Sequence, residues 1–345
     1  MATIHPTRSC ARRCVFCVAG LALFAWSARG QYDPDWARHF RIGAIVGLNI
    51  KADFQISGNI SFNHPAGVYD DGYVGVDQTG NAGGVTTYFG YYNPGQYSRG
   101  ANTLTFHDTT SLSSIGSMSA TKDGGALPGF ELAYGGNLWY WGRARIGWDF
   151  GFGLLPISIS AGQSASGTAN QSVFTYDTTG QYLPPQPGVY QAPPGATGPY
   201  NIPSTPASTN TTATSGATLV GTQTLDVMLY TLRLGPSVYW DFNRYLGMSV
   251  GVGPALGIVS GDLKYNETIT TATVVQNEGK ISKTDLVYGW YANATLLCHL
   301  VKHGDIYISG QYMPLGNATI SGQGRQGTLK LDGAVYVSAG VNWPF

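Results

Sequence analysis

Cysteine is scarce here and badly placed for cross-linking: Cys10, Cys14 and Cys17 fall within the first thirty residues, and only Cys298 follows. If that leading segment is removed, no internal disulfide can form, and stability must come from strand pairing and packing. Charge is equally sparse. Asp, Glu, Lys and Arg make up 11% of the 345 residues, where an ordinary soluble domain carries about 25%. Beyond the N-terminus no apolar run approaches the ~18 residues of a spanning helix, which excludes helical membrane segments. Four of the 19 Lys and Arg (Arg8, Arg12, Arg13, Arg29) and none of the 19 Asp and Glu lie in residues 1–30, so the remainder carries −4 and offers no basic field for nucleic acid.

The N-terminus has a basic start, an apolar run from Cys14 to Trp26, and the small-residue site Ala28-Arg29-Gly30 before Gln31. That is the pattern of a secretory signal peptide, expected to span 1–30. The run is too short to cross a bilayer, and Cys17 behind Val15-Phe16 lacks a lipoprotein cleavage box. A mature chain from Gln31 without a lipid anchor is expected. It is rich in Gly (48), Tyr (22) and Trp (8), and few charges with many aromatics suggest a β-structure with lipid on one side.

Period-2 alternation is the dominant pattern. The chain ends in AVYVSAGVNWPF, where Val335, Val337, Ala339, Val341 and Trp343, continuing back to Leu329 and Leu331, oppose Lys330, Asp332, Ser338 and Asn342. Eight such segments occur, at about 39–54, 129–141, 144–160, 224–242, 247–262, 285–301, 305–321 and 328–345. In the first, Phe40, Ile42, Ala44, Val46, Leu48, Ile50 and Phe54 oppose Arg41, Asn49, Lys51 and Asp53. An even number of strands of about ten residues or more is what a transmembrane barrel needs, since in lipid no backbone group and no sheet edge can stay unpaired. The connections after segments two, four and six are short, near Gly142, Asn243-Arg244 and His303-Gly304. Those after segments one and three are long, about 57–127 and 162–222. The second, Pro-rich and then Ser/Thr-rich, is expected to be extended or mobile. The fold class is therefore all-β: a closed antiparallel transmembrane β-barrel of eight strands with short periplasmic turns and long extracellular loops.

The signal, strand count, loop asymmetry and terminal VNWPF resemble the small eight-stranded outer-membrane barrels of the OmpA/OmpX type from Gram-negative bacteria. The resemblance implies that Val341, Trp343 and Phe345 form the signal read by the barrel assembly machinery. It also implies an outer-membrane location in contact with lipid and lipopolysaccharide. Pro344 departs from the usual pattern, and no periplasmic cell-wall-binding domain is expected.

On the inward face the alternation places Arg41, Lys51, Asp53, Glu131, Arg145, Asp149, Arg233, Asp241, Asp285, His299, Lys330 and Asp332. An eight-stranded interior is only wide enough for side chains to fill it, so these charges are expected to form a mutually neutralising ionic network that mostly plugs the lumen. Trp139, Tyr140, Trp141, Trp240 and Tyr245 lie near the short turns and read as a periplasmic aromatic girdle. His64 and His107 sit in the first long loop, where FHD at 106–108 has no nameable partner. Asp70, Asp71, Asp77 and Asn81 in YDDGYVGVDQTGN are oxygen ligands suited to calcium but lack a helix-loop-helix spacing. No cofactor, metal or catalytic residue is expected, and the chain is read as a non-enzyme. The leading function is a structural or adhesive outer-membrane protein whose loops meet an extracellular surface or a host or matrix ligand. The alternatives are a narrow or gated passive pore for small solutes and an outer-membrane lipid-modifying enzyme.

Overall fold

The computed structural model describes residues 38–62, 64–184, 189–271, 274–301 and 304–344. The proposed signal peptide, the cysteines within it, His303 and Phe345 lie outside the described residues. Twelve strands carry the architecture: β1 (Arg38–Leu48), β2 (Lys51–Ser61), β3 (Thr103–Asp123), β4 (Leu127–Trp141), β5 (Ala144–Asp177), β6 (Ser208–Asp241), β7 (Leu246–Thr270), β8 (Val274–Val301), β9 (Gly304–Tyr312), β10 (Ala318–Gly322), β11 (Arg325–Lys330) and β12 (Val335–Pro344). Among the described residues there is no α-helix.

Every neighbouring pair is antiparallel. The order β12-β1-β4-β5-β6-β7-β8-β9 returns to β12 through the β9–β12 ladder, so eight strands close into a ring. Above it, β5 to β8 continue unbroken, while β3, β2, β11 and β10 take over the other half of the wall. Each of these upper strands is the continuation of a ring strand, separated from it by a short interruption: β1/β2 at Asn49, β3/β4 at Gly125, β9/β10 at 313–317 and β11/β12 at 331–334. Asn49 (φ 57°) and Gly125 (φ 69°) take the left-handed conformation that Asn and Gly tolerate best. The interruptions are neighbours in space and are tied to one another. Asn49 Nδ2 donates to Gly333 O (2.8 Å), Gly124 N to Ile50 O (2.9 Å), and Met313 N to Ala334 O (3.1 Å). They form one hinge line across half of the wall.

Below that line the interior is polar and the exterior apolar. Ile42, Phe150, Leu234, Val238, Val250, Leu296, Ile308 and Val341 are all exposed. Above it the two faces exchange character. Ile50, Phe54, Leu155, Ile157, Leu225, Leu229, Leu263, Leu329 and Leu331 fill the upper interior as one buried cluster, each full burial contributing about 1.5–3 kcal/mol. The upper exterior is hydroxylic and charged: Ser160 pairs with Thr224 and Ser260 with Thr284, both at 2.8 Å, and Lys264 with Asp226 at 2.7 Å.

This exchange corrects part of the sequence reading. In β1 the odd residues face inward, but left-handed Asn49 shifts the parity, so Ile50, Ala52, Phe54 and Ile56 point in and Lys51 and Asp53 point out. The same shift at 332–333 turns Leu329 and Leu331 inward and leaves Lys330 and exposed Asp332 outside. The long loops are also shorter than expected. Residues 103–123, 162–177 and 208–222 are strand; in the second stretch the inward positions hold small or polar residues such as Gln163, Ala165, Ala169 and Gln171, which leave no alternation signal.

The remaining loop residues are not a loose tail. Tyr190–Gln191 pairs with Phe89–Tyr91, and Ile202–Pro203 with Val85–Thr86, so both loops share one folded cap. The second loop was expected to be extended or mobile for want of apolar material to bury; its Leu183 and Ile202 instead join Phe89, Tyr91, Tyr97, Phe106 and Tyr176 in one buried core.

Candidate functional site

Inside the ring, Arg41, Glu131, Arg145, Asp149, Arg233 and Asp241 are all buried and meet one another. Arg41 pairs with Asp149, and Arg233 with Glu131. Arg145 Nη2 donates to Asp241 Oδ2 at 2.7 Å. His299 lies between Asp305 (2.7 Å) and Asp241 (3.4 Å), and Asn342 Nδ2 donates to Asp305 Oδ2 at 2.7 Å. Each arginine also lies beside a tyrosine ring at 5.6 to 5.9 Å: Arg41 by Tyr307, Arg145 by Tyr239, Arg233 by Tyr291, a contact that strengthens as water is removed. Glycines make the room. A Cβ on Gly151 would lie 2.5 Å from Arg233 Nε.

Of the residues expected in this network, Lys51, Asp53, Lys330 and Asp332 lie outside the wall, for the parity reason above. Asp53 pairs there with Lys330. Asp285 is half-buried at the seam between β8 and β10, accepting from Lys283 Nζ at 3.4 Å and Thr319 N at 3.4 Å. The sequence reading missed His39, Asp305, Tyr239, Tyr307 and Tyr336. His39 shares Arg41's parity, and Tyr239, Tyr307 and Tyr336 each sit between two outward apolar residues, so alternation alone could have found them. The groups pack closely: a cavity lined by Arg38, His39, Arg145, Tyr239 and Asn342 holds about 10 Å³, the room of a single water.

Outside the ring, Trp139, Tyr140, Trp141, Tyr245 and Trp343 are exposed near the short turns, with Trp240 half-buried among them and Val341 exposed just above. A second group, Tyr288, Trp290 and Tyr312, is exposed just below the hinge line, Trp290 and Tyr312 edge to face at 5.6 Å. From Tyr230 to Trp240 on β6 is about 33 Å of strand, or about 25 Å of height at a tilt of ~40°.

In the cap, the acidic residues serve separate purposes and do not gather as a calcium loop. Asp77 accepts from Thr79, Asn81 and Thr87, and these donors hold its carboxyl well below the usual range. Asp71 accepts from His107 N (2.9 Å) and faces its Nδ1 (2.6 Å); this hydrogen bond raises the imidazole above its ordinary pKa. Asp70 Oδ2 accepts from Thr109 N and Oγ1. His107 of FHD thus has a partner, supplied by the YDDG turn. The cap exposes Val76, Tyr88, Tyr92 and Tyr182.

No family model matches the sequence, and no curated protein matches it. Solved structures do. The outer membrane protein OprG from Pseudomonas aeruginosa is 10% identical, with 89% of this chain and 95% of that chain covered and a TM-score of 0.33. The outer membrane protease OmpT from Escherichia coli is 10% identical, covering 92% and 100% with a TM-score of 0.28. Ail, the attachment invasion locus protein of Yersinia pestis, is 10% identical, covering 88% and 98% with a TM-score of 0.25. These are likenesses to outer-membrane proteins of differing roles, and no role carries over from them.

Proposed function

We propose that the chain is an integral outer-membrane β-barrel of eight strands with a plugged lumen, cleaved from a signal peptide at 1–30, whose cap is a contact surface for an extracellular partner. The observation that carries this reading is the exchange of faces at the hinge line. An apolar exterior about 25 Å tall, bounded by aromatics above and below, suits a bilayer, and the hydroxylic wall above it suits water. Val341 and Trp343 fit the role of the assembly signal, and Trp139, Tyr140, Trp141, Trp240 and Tyr245 that of the periplasmic girdle. Exposed tyrosines are efficient contact residues, offering large area at little entropic cost, and the cap places four apolar or aromatic side chains on a surface with few charges. A non-catalytic, structural or adhesive role follows.

Two measurements test it. Protein extracted from outer membranes in mild detergent is expected to change gel mobility on boiling, and a soluble protein with no shift would sink the barrel reading. Cells displaying the full chain are expected to attach to host or matrix material better than cells displaying a chain whose cap residues 64–102 are replaced by a short linker; equal attachment sinks the adhesive role.

A further inference from the structure

His64, Asp70 and Asp108 come from three separate segments: the exit from β2, the YDDG turn and the first third of β3. Their ligand atoms converge. His64 Nδ1 lies 2.6 Å from Asp108 Oδ1 and 3.7 Å from Asp70 Oδ1, and all three atoms fall within 4.8 Å of one another. The Asp70 side chain is fully buried, while His64 and Asp108 are 23% and 21% exposed, which leaves one side of the cluster open to solvent. We propose that this cluster is a binding site for a divalent transition metal ion of the zinc class, clipping the cap to the barrel wall.

Three observations carry the assignment. The first is charge. Two carboxylates face one imidazole, which can neutralise at most one of them, and in a half-buried setting a dication balances the pair. The second is geometry. Ligand atoms about 2.1 Å from a tetrahedral zinc sit about 3.4 Å apart, and the spacings of 2.6 to 4.8 Å bracket that value with small rotations of His64 and Asp108. The third is the support behind the ligands. Asp70 Oδ2 is held by Thr109 N (2.9 Å) and Thr109 Oγ1 (2.6 Å), which turns Oδ1 toward His64. Metal-binding carboxylates are commonly oriented by such outer hydrogen bonds. The backbone bond from Asp70 N to His107 O (2.8 Å) fixes the turn against β3 in the same register. Calcium is the poorer fit, because it takes 6–8 oxygens and this set offers one nitrogen and two carboxylates. With three protein ligands and an open side, the fourth position belongs to water.

The test uses the full mature chain in detergent micelles, without an affinity tag, stripped with EDTA and titrated with Zn²⁺ by calorimetry and with Co²⁺ by visible absorption. One ion per chain is expected. Zinc should also slow protease cleavage within 64–102. His64→Ala and Asp108→Asn should each raise the Kd roughly tenfold or more. Lys264→Ala, on the outer wall away from the cluster, should leave it unchanged, and the heat-induced mobility shift of each variant reports an intact barrel. No saturable binding, binding that survives His64→Ala together with Asp108→Asn, or a preference for Ca²⁺ over Zn²⁺ overturns the proposal. Failure of the attachment assay leaves it standing, since the metal site depends on how the YDDG turn docks against β3 and on no extracellular partner.

Discussion

At the scale of single residues, the ring interior depends on completed pairs. Arg41→Met leaves Asp149 buried without its paired guanidinium, His39 remaining at 3.7 Å, and breaking a buried pair from one side costs about 3–5 kcal/mol. The expected result is a clear fall in the urea midpoint, followed by the boiled-to-unboiled gel shift. Arg41→Met combined with Asp149→Leu should recover part of the loss, because it removes both charges. In the cap, His107 gives a pH dependence of definite sign. Its folded pKa is raised by Asp71, so its stabilisation is fully present below the unfolded value near 6.5 and is lost as pH rises through the higher folded value. Cleavage of the cap by a protease of flat pH response should therefore be slower at about pH 6 than at about pH 9, and His107→Asn should abolish the difference. An unchanged ratio in that variant would show that another group sets it.

At the scale of elements, the hinge line is built from residues that accept unusual backbone. Asn49→Gly keeps the left-handed conformation and loses only the bond to Gly333 O, about 1 kcal/mol. Asn49→Ala loses the bond and adds a further cost of about 1–2 kcal/mol, so the two variants should separate in urea unfolding. This same residue explains where the sequence was legible and where it was not. Along β5 from Arg145 to Ala165 and along β6 from Ala217 to Asp241 the parity holds, so the inward placement of Arg145, Asp149, Arg233 and Asp241 can be read directly from alternation. Across Asn49 and Gly333 the period slips by one, and a rule that assumes an unbroken period sends Lys51, Asp53, Lys330 and Asp332 to the wrong face. The upper parts of β5 and β6 were illegible for another reason: where Ser and Thr face water and Ala faces inward, strand and loop have nearly the same composition. The pairing of His64 and His107 with the acidic residues was hidden because it depends on how the turn at 70–71 docks on β3.

At the scale of the whole molecule, the exchange of faces makes one strand sensitive to charge at one height and indifferent at another. On β8, Leu296 faces outward within the apolar band and Gln276 faces outward in the upper wall, both exposed. Leu296→Arg should cost about 2–4 kcal/mol in lipid vesicles, whereas Gln276→Arg should stay within about 0.5 kcal/mol. Equal costs would contradict the placement of the bilayer below the hinge line. The packed interior also bears on solute passage. In planar bilayers the chain should give no stable current steps, and regular steps would favour the pore alternative.

The unbroken strands have a mechanical consequence. Only one half of the wall is interrupted at the hinge line; in the other half, β5 to β8 run as continuous paired strands from the short turns up past it. A partner tugging on the cap away from the cell pulls along those strands, so the load falls on many ladder bonds in shear at once. A sideways push would instead open the hinged half first. On the proposed contact role, the molecule would be stiff to tension and compliant to tilt.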